Sequence, residues 1–308
     1  SEQVKEIMLF LYSYEVSTGL AVKIYKQYGK EALAVVQNNP YRLAMDIYGV
    51  GFKMADRIAQ KMGLPADHPS RIEAGIIHHL NEMINEGHIY LPQDLLIEKM
   101  AALLGVSKEQ VATAIDRLDK ELYLRREDVP TTAWEARCGQ KQDGTTVATD
   151  FQTAVYTTPL YLSEVSVAEQ LNRLAFAIRD GRDFSRLSDV PPAFLVLDES
   201  LSPEQQTAIK TAITHPLSIL TGGPGTGKTT AIKALITILE TAHKRYALAS
   251  PTGRAAKRLS EATGRQASTI HRLLGYSPGE GFKYNAENPL SLDLLVVDEA
   301  SMLDLYLA

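Results

Sequence analysis

The sequence has 308 residues, of which 45% are hydrophobic and 22% are charged, with a formal net charge of −5 and one cysteine. Length and composition predict two domains, or three small ones, with packed cores. One cysteine excludes an internal disulfide framework and a cysteine-cluster metal site, and the acidic balance excludes a surface that is basic throughout, so contact with nucleic acid would be local.

No apolar run approaches the ~20 residues of a membrane-spanning helix. The chain opens on an amphipathic helix at Ser1, rather than on the charged and then apolar start of a signal peptide. We therefore expect a cytoplasmic protein without a membrane partner.

Residues 1–66 are predicted to be helical and to contain an internal repeat. The segments 21–29 and 55–63 align with alanine, isoleucine and glycine at matching positions, and a turn of small residues precedes each copy. Each copy therefore predicts a helix, a tight hairpin and a helix. The pair resembles two helix-hairpin-helix motifs, which implies that hairpin amides contact a DNA phosphate beside cations. The nearby cations are Lys23, Lys26, Lys53 and Arg57. The alternative is a helical bundle that does not touch DNA, with Gly29 and Gly63 as helix caps.

Residues 67–148 predict helix, short strand, helix, turn and helix, an order that resembles a winged-helix unit. The strand is expected at 88–91. Pro92 and Gly105 mark the start and the end of the first of the two following helices. Ser107 and Gln110 form a capping box at the start of the second. The apolar residues of that second helix recur at helical spacing and predict one buried stripe: Val111, Ile115, Leu118 and Leu122. Three basic and four acidic side chains share segment 108–121. We therefore expect a structural or interdomain role, and major-groove reading is the alternative.

The interval before the next domain carries weaker signals. Residues 131–148 predict a loop or wing, and alternating apolar residues at 155–162 predict a strand. A helix is expected over 163–179. The composition of 180–192 predicts an exposed linker.

Residues 193–308 contain a phosphate-binding loop. An apolar run at 217–220 predicts a buried strand, and Gly-x-x-x-x-Gly-Lys-Thr and a helix predicted over 230–241 follow it. Glycines permit positive φ and a close approach to phosphate. Nucleotide contacts are expected from Gly222, Gly223, Pro224, Gly225, Thr226, Gly227, Lys228, Thr229 and Thr230. Of these, Lys228 would act on the β- and γ-phosphates in catalysis, and Thr229 would hold Mg²⁺.

A second motif follows the continuous apolar run 294–297, which predicts a parallel strand covered on both faces. Asp298 and Glu299 come directly after the run, in a Walker B pattern. Asp298 would hold Mg²⁺, and Glu299 would be the catalytic base that polarises the attacking water. Together the two motifs predict ATP hydrolysis.

Three further segments resemble motifs of superfamily 1 helicases. They are 201–205, then 250–259 after a strand predicted at 246–249, and 268–274, where a helix with a polar start is expected. The resemblance assigns Gln205 to the adenine edge, because an amide can donate to and accept from adenine in one plane. It assigns contacts with single-stranded DNA to Thr252, Arg254, Lys257, Thr269 and His271.

Taken together, the motifs resemble the RecD-type branch of superfamily 1 DNA helicases, in its long form with an N-terminal helix-hairpin-helix region. This implies a RecA-like α/β P-loop domain with a partial parallel sheet, preceded by mainly α helix-hairpin-helix and winged-helix-like domains. The boundaries are 1–66, 67–148, a connecting strand, helix and linker over 149–192, and 193–308. The resemblance implies 5′ to 3′ translocation on single-stranded DNA with ATP and Mg²⁺, and action at duplex junctions. It leaves protein partners unknown.

Later motifs of that family have no counterpart up to Ala308, nine residues beyond Glu299. We therefore expect a fragment that is truncated after Walker B and lacks the second motor lobe. Two other functions stay open: a nucleotide-regulated DNA-binding or repair ATPase, and a non-catalytic DNA-binding module. The intact Walker residues argue against a vestigial nucleotide site.

Overall fold

The computed structural model describes residues 2–14, 17–47, 50–131, 150–176, 187, 190, 200–223 and 225–308. The chain divides into two compact units, Ser1–Leu162 and Ser163–Ala308. The predicted wing beyond Thr131, most of the predicted linker, and Cys138 lie outside the described residues. Leu187 and Val190 of that linker are described, and both are buried in the core of the second unit, so the expectation of an exposed linker is wrong there. No helix within the described ranges is both long and apolar enough to cross a membrane.

The first unit begins with five helices: α1 (Glu2–Ser13), α2 (Thr18–Tyr28), α3 (Ala32–Asn38), α4 (Arg42–Asp46) and α5 (Phe52–Lys61). The matching positions of the repeat, Ala21 and Ile24 in α2 and Ala55 and Ile58 in α5, are at most 1% exposed. The repeat is therefore a repeat of core packing. The glycine that ends each copy, Gly29 or Gly63, has a positive φ, +57° and +78° respectively, which glycine adopts readily.

The unit continues with three helices and a three-stranded antiparallel sheet in the order β1-β3-β2. The elements are α6 (Pro69–Asn85), β1 (Tyr90–Pro92), α7 (Gln93–Leu104), α8 (Lys108–Lys120), β2 (Leu124–Pro130) and β3 (Phe151–Thr157). The predicted helix signals are present: Gly105 ends α7 in the left-handed region, and both bonds of the Ser107–Gln110 capping box form. Val155 of β3 pairs with Leu91 on one side and Arg126 on the other.

Several predictions in this half are wrong. The first strand was predicted over 88–91, but β1 begins two residues later, at Tyr90. The strand β2 was not predicted. Leu122 is 56% exposed and leaves the buried stripe, because α8 ends at Lys120 and Leu122 takes a φ of +65° in the turn. The strand expected at 155–162 ends at Thr157, and α9 (Thr158–Ala175) begins at once, with Pro159 in its first turn, where proline costs no hydrogen bond.

The second unit holds a parallel sheet in the order β5-β4-β8, with helices between its strands in sequence. Its elements are α10 (Pro203–Thr214), α11 (Lys228–Thr241), β4 (Tyr246–Ser250), α12 (Gly253–Thr263), β5 (Ala267–Thr269), α13 (Ile270–Leu273), β6 (Tyr276–Ser277), β7 (Gly281–Phe282) and β8 (Leu294–Val297). The helix predicted over 268–274 is replaced by β5 and the four-residue α13. The hairpin β6–β7 was not predicted, although Ser277-Pro-Gly marks its turn.

The apolar run 217–220 does not form the predicted strand. Its backbone pairs with no strand in the described part of the chain, and Ile219 is 87% exposed. A strand needs a neighbour for its N–H and C=O groups, so apolar character alone does not make one. The prediction that β8 is covered on both faces is also wrong: Leu294 and Val296 pack against buried core clusters, whereas Leu295 between them is 45% exposed.

A polar network joins the helices of the first unit. Asp56 on α5 accepts hydrogen bonds from the Tyr41 hydroxyl at 2.6 Å and from Arg71 Nε at 2.9 Å. Arg71, near the start of α6, also donates to the carbonyl oxygens of Ala66 and Leu104. Burial and the Asp56 hydrogen bond both raise the pKa of Tyr41, which keeps its hydroxyl protonated as a donor. This network holds α5, α6 and the end of α7 together.

We predict that Asp56→Ala destabilises the first unit by about 2–4 kcal/mol, because it leaves the largely buried Arg71 cation without its partner. Native-state hydrogen exchange of α5 and α6 amides measures the loss. Gln60→Ala is the control, since Gln60 donates to the same carboxylate at 3.0 Å from an exposed position. A loss no larger than that of the control would contradict the role given to Asp56.

Candidate nucleotide and nucleic-acid site

The phosphate loop ends where α11 begins. Gly227 is the N-cap of α11, so the helix starts two residues earlier than predicted, at Lys228. Gly225 and Gly227 have φ of +78° and +80°, which explains why glycine occupies both positions. Pro224 lies outside the described residues. Thr229 and Thr230 are exposed in the first turn of α11, beside N–H groups that have no partner within the helix.

The Lys228 ammonium group lies against the loop. Its Nζ donates to the carbonyl oxygens of Gly222 at 2.5 Å and Gly223 at 3.0 Å. Thr226 closes the loop from the other side, because its Oγ1 donates to the Gly223 carbonyl at 2.9 Å. The loop therefore gathers a cation, several N–H groups and the positive end of a helix dipole, the groups that bind an anion.

Gln205 joins α10 to this loop. Ser202 caps α10 by accepting from the Gln205 N–H at 3.3 Å, and Gln205 Oε1 accepts from the Ser202 N–H at 2.9 Å. The other end of the amide, Nε2, donates to the Gly227 carbonyl at 3.3 Å. Between α10 and the loop is a cleft of about 370 Å³ lined by Ser202, Glu204, Gln205, Leu220, Thr221, Gly222, Thr226, Lys228 and Ala231. The Ser202 hydroxyl, which donates to Glu204, lowers the pKa of that carboxyl.

The direction of α11 can be read from its packing. Tyr246, at the start of β4, donates its hydroxyl to Glu240 near the end of α11 at 2.7 Å. Ile232 and Ile236, nearer the start of α11, pack with Leu248 and Val296 further along the strands. Thus α11 runs antiparallel to β4 and β8, and the phosphate loop points towards the carboxyl edge of the sheet.

The acidic pair lies at that edge. Asp298 follows β8 directly, and its N–H continues the pairing by donating to the Ala249 carbonyl at 2.9 Å. Glu299 has a φ of +54°, which is uncommon for a residue other than glycine. This backbone turns the chain from β8 into the short 3-10 turn Ala300–Met302. Neither acid lines the cleft between α10 and the loop.

Two predicted DNA contacts lie on neighbouring strand ends. Ser250 and Thr269 pair in register, so Thr252 follows β4 near the point where Thr269 ends β5. Each threonine caps a helix: Thr252 Oγ1 accepts from the Ala255 N–H, and Thr269 Oγ1 accepts from the Arg272 N–H. Each hydroxyl keeps its own hydrogen for donation to an outside group.

The remaining predicted DNA contacts lie on the two helices that these threonines cap, α12 and α13. Arg254 and Lys257 are exposed on α12, and Lys257 approaches Glu261 at 3.9 Å. His271 is exposed on α13, where its ring lies 5.5 Å from Tyr276 and 5.8 Å from Phe282 of the unpredicted hairpin. Sequence reasoning missed these two aromatic partners, because nothing in a single Tyr or Phe of the sequence indicates a shared cluster.

The two ends of the chain match known protein families. Residues 1–90 match the family described as "ATP-dependent RecD2 DNA helicase HHH domain", and residues 205–308 match an AAA domain. The chain is 33% identical over 295 residues to the ATP-dependent RecD2 DNA helicase of Deinococcus radiodurans, covering 92% of this chain and 38% of that protein. The chain belongs to the RecD-type helicase family.

Two RecD subunits of RecBCD enzymes are also similar. The subunit from Mycobacterium tuberculosis is 31% identical over 245 residues, which covers 68% of this chain and 43% of the relative. The subunit from Haemophilus influenzae is 42% identical over 126 residues, covering 33% of this chain and 20% of the relative. The chain thus spans less than half the length of these curated relatives. The family confirms the helix-hairpin-helix and P-loop parts of the predicted fold and implies nucleotide binding.

We predict different effects for alanine at two glycines of the loop. Either substitution places a side chain in the left-handed region, at a cost of about 1–2 kcal/mol. Around Gly225 a new Cβ meets nothing within 4 Å, whereas at Gly227 it would overlap the Gln205 amide. Gly227→Ala should therefore also speed hydrogen exchange in the first turn of α10, and Gly225→Ala should not. Equal exchange in both variants would contradict the contact.

Proposed function

We propose that this chain supplies the ATP-binding and strand-gripping elements of a RecD-type DNA helicase that moves 5′ to 3′ along single-stranded DNA. The observation that carries the proposal is the arrangement in the second unit: the phosphate loop points towards the sheet edge where three adjacent strands end. Asp298 follows β8, Thr252 follows β4, and Thr269 is the last residue of β5. In open α/β sheets, ligands bind at the carboxyl ends of the strands.

The loop residues would hold the phosphates of ATP. Gly222, Gly223, Pro224, Gly225, Thr226 and Gly227 would present main-chain groups, with Thr229 and Thr230 at the start of the helix. Lys228 would exchange its two carbonyl partners for phosphate oxygens, whose negative charge adds ionic attraction to the hydrogen bonds. Gln205 lines the same cleft, which is consistent with contact to the adenine base.

Magnesium fits the donor set, because a hydroxyl and a carboxylate are the oxygen ligands that it prefers. Thr229 and Asp298 would hold the ion, which would neutralise charge on the phosphates. Glu299 would hold the attacking water as general base. Its left-handed backbone is of the kind that clusters at active sites, which supports a functional role for that turn.

Single-stranded DNA would lie across the ends of β4 and β5. Thr252 and Thr269 would donate hydroxyl hydrogens to phosphates, while Arg254 and Lys257 add local positive charge to an acidic chain. His271, which packs against two aromatic side chains, would contact the single-stranded DNA next to that aromatic cluster. Because the phosphate loop points to this same sheet edge, nucleotide and DNA would both bind at one edge of the same sheet. Duplex junctions are then the substrates that such a motor would open.

We propose that α6 to β3 form a winged-helix unit with a structural role. The element order and the sheet order β1-β3-β2 support the fold. Two of its arginines are engaged by acids: Arg117 bonds Glu73 at 2.9 Å, and Arg126 bonds Asp116 and Asp119, both at 2.8 Å. Paired cations gain little from DNA phosphates.

In the helix-hairpin-helix region, Lys23, Lys26, Lys53 and Arg57 are exposed, which suits contact with phosphates there.

We predict that Lys228→Ala weakens binding of Mg–ATP about ten- to a hundredfold, because a hydrogen bond to a charged group contributes about 1.5–3 kcal/mol. Titration with a fluorescent ATP analogue measures the dissociation constant. Lys233→Ala is the matched control, since Lys233 is exposed on the same helix but away from the loop. Affinity within a factor of two of the control would remove Lys228 from the site.

We predict that Arg254→Ala weakens binding to oligo-dT several-fold and lowers the salt slope by about 0.7, the value for one phosphate contact on a single strand. Fluorescence anisotropy over a range of NaCl concentrations gives both quantities. Lys210→Ala is the control, because it removes an exposed cation from α10. If both variants reduce the slope equally, the effect is general charge and α12 is not the contact.

A further inference from the structure

The side chain of Gln205 bridges two structural elements with one amide. Oε1 accepts from the Ser202 N–H at the start of α10, and Nε2 donates to the Gly227 carbonyl at 3.3 Å. The Thr226 carbonyl lies at 3.5 Å from the same Nε2. The amide therefore holds the last turn of the phosphate loop at a fixed distance from α10.

The carbonyl group that receives this bond begins α11. The Gly227 oxygen also accepts the first intrahelical hydrogen bond, from the Ala231 N–H at 3.1 Å. A Cβ at Gly227 would overlap Gln205 Nε2, so the amide sits against the bare Cα of the helix cap. Gln205 thus fixes the orientation of the first turn of α11, whose free N–H groups must point at a phosphate.

The neighbouring glutamine lacks this arrangement. Gln206 Nε2 donates to the Leu201 carbonyl at 3.1 Å, within its own helix start. The bridge to the loop therefore belongs to one position and is not a general property of polar side chains in the first turn of α10.

We propose that Gln205 is a positioning residue for the phosphate loop, so that it sets the affinity for the triphosphate whatever base is attached. The proposal rests on the proposed nucleotide-binding function and deepens it. A residue that only reads adenine would change affinity for ATP alone. A residue that orients the loop changes affinity for every ligand that carries the triphosphate.

The test compares Gln205→Ala with the unaltered chain for three ligands with Mg²⁺: ATP, GTP and inorganic tripolyphosphate. Isothermal titration calorimetry should show affinity reduced by a similar factor, about three- to tenfold, for all three, because one hydrogen bond that orients the loop is lost. A loss confined to ATP, with tripolyphosphate unchanged, would overturn the proposal in favour of base reading alone.

A control variant separates this bridge from the other contacts at the start of α10. Gln206→Ala removes the neighbouring amide and leaves the Nε2 contact of Gln205 in place. It should bind tripolyphosphate within a factor of two of the unaltered chain. If Gln206→Ala weakens tripolyphosphate as much as Gln205→Ala does, the effect comes from the start of α10 in general and the proposal fails.

A measurement without any ligand separates the bridge from the proposed function. In Gln205→Ala, hydrogen exchange of the Ala231 amide and its neighbours in the first turn of α11 should be at least several-fold faster than in Gln206→Ala. Unchanged exchange overturns the bridge. If the unaltered chain binds no triphosphate while the exchange still responds, the nucleotide function fails and the structural bridge stands.

Discussion

The constraint on which the second unit depends is the start of α11, where backbone N–H groups have no partner within the helix. Such groups need an anion, water or a cap, and Gly227 offers no side chain to cap them. The sequence meets the constraint in two ways. Glycines let the main chain approach an anion closely, and Lys228 occupies the first helical position. Because α11 runs antiparallel to β4 and β8, its start points towards the edge of the parallel sheet at which Asp298 and the threonine caps lie.

In the first unit, charge is used differently. Asp56, Glu73 and Asp119 each hold an arginine, so these cations stabilise packing and have little left to give to a DNA backbone. Glu73 is buried, which raises its pKa, and Arg117 beside it opposes that rise. A contact of this unit with DNA would therefore depend on backbone amides and on lysines of the helix-hairpin-helix region. That is the mode in which position is fixed and bases are not read.

Sequence predicted the local features well, because their causes lie within a few residues. The capping box of Ser107, the glycine stop of α7 and the bounds of β8 all follow from short-range hydrogen bonding and periodicity. The failures share a non-local cause. The run 217–220 is apolar enough for a strand but has no neighbour to pair with in the described part of the chain. In contrast, β2 is a strand despite a polar sequence, because β3 pairs along its whole length. The aromatic partners of His271 required the hairpin to fold back.

The position of Lys228 shows why the affinity of the phosphate loop is a difference between two sets of bonds. Its ammonium group already donates to the Gly222 and Gly223 carbonyls, so a phosphate must replace those bonds before it gains new ones. The ammonium group is charged in both sets of bonds, so the net gain comes from the negative charge of the phosphate, which a carbonyl oxygen lacks. The Gly222 carbonyl released by Lys228 then needs another partner, whereas the Gly223 carbonyl keeps its bond from Thr226, and the loop must stay in shape during the exchange. The bonds of Thr226 to Gly223 and of Gln205 to Gly227 do not involve Lys228, so they can hold both ends of the loop during that exchange.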